Sequence, residues 1–516
     1  MRSESKLMTT RSAKIALAPF VFLGGSLLLF KNGMLDDPFI TFRYARNLAA
    51  GNGAVWNVGG PKVQGYTSIL WMWVSAFGIR GGFNPLLFAK LIGALSAVTT
   101  LTVILSPMAD FLSFDARAWT AAILAVTPVY AFYAVSGMEQ PLFCLLTVFA
   151  VLAYLKSAER KKYLALAGLA LGLSAVTRPE GIGSLAIVLL YEIFLERDIP
   201  VGNRLRRCGV LLAFFLVVWA IPTAWQVWNY RSIFPNTFYA KHTGGGVLQV
   251  LEGIKYISLQ GAIYFAVPTA LIVFAGESAE VRGLDRVTLF LAFVLLCYLG
   301  YILLVGGDDT SAFPSFRLFV PVLPLLYVLV AFRLQHSDEK RQVFYVRVAA
   351  ATTLLLICWT ADGISLVRTA NPQVSSVATL LQTPPYQYQP PALATWIERR
   401  VGPSAVVALP FAGRVPYYLT NPVIDTLGLN DSHIAHLTKH QHGIDVKMDP
   451  DYVLSLKPDL IFINVNHEVA KGLISFEEGG GWKLGDRELL DRLRESNEYE
   501  MSDSAPTQIC VFQRMN

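Results

Sequence analysis

Met34-Leu35-Asp36-Asp37-Pro38-Phe39-Ile40-Thr41-Phe42-Arg43-Tyr44-Ala45-Arg46-Asn47 decides how the rest of this chain is read. It follows an apolar run, Ile15 to Phe30, long enough to cross most of a bilayer. A charge at a membrane exit ordinarily just marks the water boundary. Two adjacent carboxylates are less ordinary, because like charges repel and each raises the pKa of the other. Behind them come Arg43 and Arg46, then Gly51-Asn52-Gly53, Asn57 and Gly65-Tyr66-Thr67-Ser68. This is a polar, turn-rich loop with amphipathic character, held between a membrane helix and a Trp-rich segment. It reads as a catalytic or ligand-binding loop.

The composition agrees with a membrane setting. Of the 516 residues, 54% are hydrophobic and 16% charged, and the mean hydropathy is +0.46. Soluble domains carry roughly a quarter charged residues, so the chain is polytopic with some soluble portion. Its net charge of +6 does not indicate a polyanionic partner, because the basic residues gather in short loops between apolar runs. The five cysteines, Cys144, Cys208, Cys297, Cys358 and Cys510, form no disulfide framework or zinc spacing. Arg2, Lys6, Arg11 and Lys14 precede the first apolar run without a small-residue cleavage site, which predicts a retained helix.

Apolar runs predict about eleven helices, roughly 15–31, 85–106, 116–135, 139–156, 163–177, 181–196, 208–228, 258–275, 287–305, 317–332 and 347–362. The short aromatic stretch Thr67–Ile79 reads as an interfacial helix. With the N-terminus inside, Lys156 to Lys162, Arg197 to Arg207, Arg282 with Arg286, and Arg333 to Arg347 all fall on the cytoplasmic side. The loops left outside hold Asp36-Asp37, Ser136 to Glu139, Arg178-Pro179-Glu180-Gly181, Asn229 to Gly246, and Gly306 to Arg317. One assumption thus sorts the basic clusters from the Gly-, Pro-, Asn- and aromatic-rich loops. The membrane part is read as 1–367, with its first external loop at about 32–84. From 368 a Pro- and Tyr-rich linker leads to short β-like runs (Ala405–Leu409, Val423–Leu427, Leu460–Val465, Gln508–Gln513) alternating with helical patterns (Ala392–Val401, Arg487–Ser496). That predicts a small α/β domain on the same side as the Asp-Asp loop.

Asp36-Asp37-x-Phe39-Ile40-Thr41-x-Arg43-Tyr44-x-x-Asn47, with Gly51-x-Gly53-x-Val55-x-Asn57 and Gly65-x-Thr67-Ser68, resembles the first external loop of GT-C glycosyltransferases. Within that fold the chain is most similar to bacterial arabinofuranosyltransferases of the AftB type. The likeness runs over about residues 30 to 470 and includes Thr177-Arg178-Pro179-Glu180-Gly181, Pro235-Asn236-Thr237-Phe238-Tyr239-Ala240-Lys241 and Gly428-Leu429-Asn430-Asp431. It implies a polytopic α-helical membrane protein with a small C-terminal α/β extracytoplasmic domain, in the bacterial cytoplasmic membrane. The implied partners are a polyprenyl-phosphate arabinofuranose donor and an envelope-glycan or surface-protein acceptor. A polyprenyl-phosphate hexose is the alternative donor. A lipid-linked sugar transporter or flippase is the alternative class, disfavoured because the odd polar residues sit in outer loops and not at mid-helix.

Transfer of a sugar from a lipid phosphate needs an activated acceptor hydroxyl and a neutralised leaving phosphate. Asp36 and Asp37 match the family's acidic catalytic position, and a carboxylate in reach of the hydroxyl serves as general base. On an extended segment adjacent residues point in opposite directions, so the pair divides its roles. Pro38 fixes the backbone beside Asp37, which favours Asp37 as base. A divalent cation, Mg2+ or Mn2+, carried on the phosphate by Asp36 or Asp37 is a further use of the pair. Candidate phosphate-binding cations are Arg43, Arg178, Arg231, Lys241, His242 and Arg317. Candidate sugar and acceptor contacts are Tyr44, Asn47, Glu180, Asn236, Tyr239, Asp308, Asp425, Asn430 and Asp431. Asp308 aligns with the family's Gly-Gly-Asp pattern and Asp309 departs from it. His433, His436, His440 and His442 fit no ligand spacing and read as solvated loop histidines.

Overall fold

The computed structural model describes residues 2–241, 246–261, 285–308, 317–336, 390–437, 447–466, 484–502 and 509–515, with a few isolated positions between these ranges. They form two compact units, one from residues 1–35, 87–222 and 246–385, the other from 36–86, 223–245 and 386–516.

The first unit is helical. Pro85–Leu105, Val201–Tyr230 and Arg286–Val305 are long and apolar enough to cross a membrane, with Val201–Tyr230 passing into the second unit at Thr223. Shorter apolar helices include Ala13–Leu29, Gln140–Lys156, Lys162–Thr177 and Leu323–Gln335. Helices apolar on every face are stable only when buried in protein or lipid. Their shared core holds Tyr130, Phe132, Tyr154, Tyr191, Phe290 and Tyr327, with the Phe290 ring 4.5 Å from Tyr154 and 4.7 Å from Tyr191. The spans expected at 258–275 and 347–362 lie largely outside the described residues.

Two expected helices are divided. The run 116–135 is two helices, Phe114–Val126 and Pro128–Ala134. Pro128 has no N–H to give, so it opens a helix and forces Thr127 into an extended conformation (φ −66°, ψ 114°). The run 181–196 is helical over Glu180–Leu190 and widens into a π turn at Tyr191–Leu195. That turn carries the fully buried Glu192, which accepts from the Tyr154 hydroxyl at 2.5 Å and from Arg207 at 2.7 Å. A buried carboxylate is tolerable there because both oxygens are engaged.

The second unit contains a five-stranded sheet of β1 (Val407–Leu409), β2 (Val423–Asp425), β3 (Leu460–Asn466), β4 (Tyr499–Ser502) and β5 (Ile509–Arg514), in the order β2-β1-β3-β5-β4. β2, β1 and β3 run parallel, and β5 is antiparallel to β3 and β4. β1 is apolar on both faces, as a covered parallel strand must be. Helix Leu484–Glu495 packs Leu489, Leu490 and Leu493 into the core with Ala408, Ile461 and Ile463. β4 was not expected: its alternation in Tyr499-Glu500-Met501-Ser502 is short and half polar. The first external loop and residues 223–245 belong to the same unit as this sheet.

Candidate active site

Within the second unit, Asp36 and Asp37 stand at the entry of a helix, Pro38–Ala49. The extended geometry expected for the pair is replaced by a helix start, with Asp37 at the N-cap (φ −52°, ψ −41°) and Pro38 at the first position, where its missing N–H is no loss. Every residue from Pro38 to Ala45 is buried, while Asp36 and Asp37 are exposed. The helix packs against Ile69–Arg80, whose N-cap Ser68 accepts from Trp71, and against the short helix Arg414–Tyr418.

Asp36 Oδ1 accepts a hydrogen bond from the Arg414 backbone N–H at 2.8 Å. Protein crowds this carboxylate although the residue keeps an exposed edge. Burial therefore raises its pKa, and the neighbouring Asp37 charge adds to that, while the Arg414 and Gly413 N–H groups and the Arg414 guanidinium act in the opposite direction.

Arg43 is 3% exposed and its donors are all directed at protein. Nε donates to the Trp56 carbonyl at 2.8 Å, and Nη2 to Asn57 Oδ1 at 3.0 Å and the Asn421 carbonyl at 3.1 Å. Nη1 donates to the carbonyls of Pro416 and Leu419, and the guanidinium lies 4.6 Å from the Trp56 ring. Burial, then the charge of Arg46, lowers its pKa to about 9, which leaves it cationic at neutral pH. Arg46 donates to the carbonyls of Tyr417 and Leu419. A guanidinium so engaged has no fork left for a phosphate.

The same holds for most of the expected sugar contacts in this unit. Asn47 donates to the carbonyls of Val55 and Trp56. The buried Tyr44 hydroxyl donates to the Val63 carbonyl and meets Asn430 Oδ1 and the Gly65 N–H. Gly65 is required there, since a Cβ would fall 1.7 Å from Asn430 Oδ1. Asn236 donates to the carbonyls of Gly428, Leu429 and Asp431. Asp425 accepts from Leu427 and from both the backbone and side chain of Asn430. Asp431 caps helix Ser432–Ala435 and accepts from the Tyr452 hydroxyl at 3.0 Å. These residues hold one another. Tyr239 stays partly accessible, its ring 4.4 Å from that of His436. Arg231 is exposed, with φ 58°, a left-handed conformation few non-glycine residues adopt. The Lys241 side chain and His242 lie outside the described residues.

Asp425 supplies a pH test. Burial lifts it from 3.8 to about 6, so the folded chain holds a proton that the unfolded chain releases between those values. Stability then falls as pH rises from about 4 to about 6, by up to roughly 3 kcal/mol. Asp425→Asn is expected to abolish that slope in thermal unfolding followed from pH 4 to pH 7. An unchanged slope would place its origin elsewhere.

In the first unit Arg178 is paired with two carboxylates, Glu139 and Glu180, the latter at 2.7 Å. Glu139 enters the sequence reading only as the end of an outer loop, and nothing local there points to Arg178. Arg317 grips Asp308 through two nitrogens, at 2.5 and 2.7 Å. An expected phosphate ligand and an expected sugar ligand are thus each other's partners. Asp309, His440 and His442 lie outside the described residues. His433 pairs with Asp449 at 2.9 Å. Among the described residues no three His, Cys, Asp or Glu side chains gather for a metal.

Residues 382–508 match a domain of unknown function, DUF8728. No curated protein matches the chain. ArnT from Cupriavidus metallidurans bound to undecaprenyl phosphate is similar in structure over 98% of this chain and 98% of its own, at 14% identity and a TM-score of 0.59. Its apo structure gives 14% identity, 96% and 97% coverage, and 0.57. The apo Archaeoglobus fulgidus oligosaccharyltransferase gives 12% identity over 96% of this chain and 74% of its own, with 0.53. These likenesses show the fold: the chain shares the GT-C architecture of these proteins, and it carries helices long and apolar enough to cross a membrane.

Proposed function

We propose that the chain is an integral-membrane glycosyltransferase that moves arabinofuranose from a polyprenyl phosphate to an envelope-glycan or surface-protein acceptor, at the outer face of the bacterial cytoplasmic membrane. The observation that carries this reading is the pair of exposed carboxylates at the head of an otherwise buried helix, on a fold shared with a structure bound to undecaprenyl phosphate. The sugar rests on the motifs of the first external loop and on Pro235 to Lys241.

The acceptor hydroxyl attacks the anomeric carbon while its proton passes to a carboxylate. The bond from that carbon to phosphate oxygen breaks, and the polyprenyl phosphate leaves with the electron pair. Asp36 is the better base of the two, in place of Asp37. Its carboxylate is held by the protein, and its raised pKa brings it nearer the working pH. Asp37 is left to steady the positive charge that develops on the sugar ring or to carry a divalent cation. Arg231 is an exposed cation available to the phosphate, while Arg43, Tyr44, Asn47, Asn236, Asp425 and Asn430 serve as framework in place of the binding roles expected of them.

Mass spectrometry of envelope glycans from a deletion strain tests the reading. Loss of arabinofuranose residues is expected; loss of a hexose would move the donor to the alternative sugar, and unchanged glycans and surface proteins would refute transfer. The sidedness has its own test. A reporter active only outside the cytoplasm should work after Asn516 and be silent near Lys161, and the reverse pattern would invert the topology.

A further inference from the structure

Gly413 has no room for a side chain. A Cβ there would stand 1.9 Å from Asp36 Oδ2, 2.1 Å from Cγ and 2.5 Å from the Asp36 carbonyl oxygen. None of these atoms can easily retreat. The carbonyl is backbone at the head of a helix, accepting from Phe39 at 3.1 Å, and the carboxylate is held through Oδ1 by the Arg414 N–H. The Gly413 N–H also acts on the carboxylate.

The segment that presents these two residues is fastened to the Asp36 helix further along. Arg43 donates to the carbonyls of Pro416, Leu419 and Asn421, and Arg46 to those of Tyr417 and Leu419. The Phe39 ring lies 5.4 Å from Tyr417 and 6.3 Å from Tyr418. One helix therefore grips residues 413–421 at successive levels, with the carboxylate at its upper end.

We propose, building on the glycosyl-transfer reading, that Gly413 and Arg414 are positioning residues that set the place and aim of the Asp36 carboxylate. Gly413 leaves the carboxylate its room, and the Arg414 N–H fixes its rotation. The catalytic group comes from the first external loop, and its alignment comes from residues almost four hundred positions later. The C-terminal segment thus contributes to the chemical step as well as to any acceptor site.

The test uses the full-length protein in nanodiscs, a polyprenyl-phosphoryl arabinofuranose as donor and a synthetic oligo-arabinofuranoside as acceptor, with release of polyprenyl phosphate as the readout. Gly413→Ala should lower kcat by about 10²-fold, as expected when a reacting group is moved by an ångström. The donor KM should stay within about twofold. The charged groups acting on Asp36 are Asp37 and Arg414. Were Gly413→Ala to misfold, Arg414→Pro removes the donating N–H at a first helical position where Pro is accepted, and it should give the same kcat loss with the donor KM kept. Arg414→Ala keeps that N–H and should lose less kcat than Arg414→Pro. Wild-type kcat in folded Gly413→Ala or Arg414→Pro, beside an inactive Asp36→Asn, would overturn this inference alone. Wild-type turnover by both Asp36→Asn and Asp37→Asn would overturn the functional reading and this inference with it.

Discussion

Asp36→Asn is expected to reduce turnover of the purified protein by about 10²–10⁴-fold, the usual contribution of a positioned general base. Asn keeps the size of the side chain and can still accept from the Arg414 N–H through its amide oxygen. The helix entry at Asp37-Pro38 is untouched. Expression, thermal stability and donor binding should therefore survive, and the loss should fall on kcat. Asp37→Asn should cost less, because Asp37 makes no capping hydrogen bond to the helix it opens and its charge acts on the transition state from a second position. A larger loss at Asp37 than at Asp36 would exchange the two roles. Near-normal rates in both variants would remove the site.

Arg43→Ala is expected to lower the stability of the second unit by at least about 3 kcal/mol, since it strands several carbonyls that a single guanidinium now satisfies. That is roughly a hundredfold in the folded-to-unfolded ratio. Lys in its place should recover only part, because an ammonium cannot spread over the same fork of acceptors. Arg46→Ala should cost less, its side chain being half-exposed with two carbonyl partners. The discriminating comparison is with donor affinity. A phosphate ligand would raise the donor KM without lowering the unfolding temperature. A framework residue lowers the unfolding temperature and leaves KM of the folded fraction alone. The second result is the one expected.

Arg43 also shows why some roles were hidden in the sequence. An arginine beside two aspartates in a loop suits a phosphate, and nothing local reveals that the Pro416 carbonyl, 373 residues away, will accept a hydrogen bond from its Nη1. Asn236 and Asn430 follow the same pattern: polar side chains in turn-rich segments whose partners are backbone groups elsewhere in the unit. Motif spacing reports that such residues matter and does not separate binding from bracing. What was legible came from strong periodic or apolar signals. The strands around Val407, Val423, Leu460 and Ile509 sit where short apolar runs lie between turns, and the long helices sit on apolar stretches with few charges.

The misjudged helices had weaker but readable signals. Pro128 after Thr127 marks the break that divides 116–135. Pro38 with Phe39, Phe42 and Tyr44 announces a helix inside what reads as a loop, and only the carboxylates before it and the glycines after it argue for irregular chain. Gly413 opens Gly413-Arg414-Val415-Pro416-Tyr417-Tyr418, which looks like a turn segment of the resembled family, but its link to Asp36 is not legible there. A glycine in a turn is common, and its need here comes from Asp36 arriving in the space a Cβ would take.

Transfer from a defined donor tests the central claim most directly. The purified full-length protein in nanodiscs is given radiolabelled polyprenyl-phosphoryl arabinofuranose, mannose or glucose in parallel, with envelope glycan as acceptor. The expected result is label passing to the glycan from the arabinofuranose donor, with loss of that transfer in Asp36→Asn. Consumption of none of the three donors by a folded, membrane-inserted protein would contradict the account.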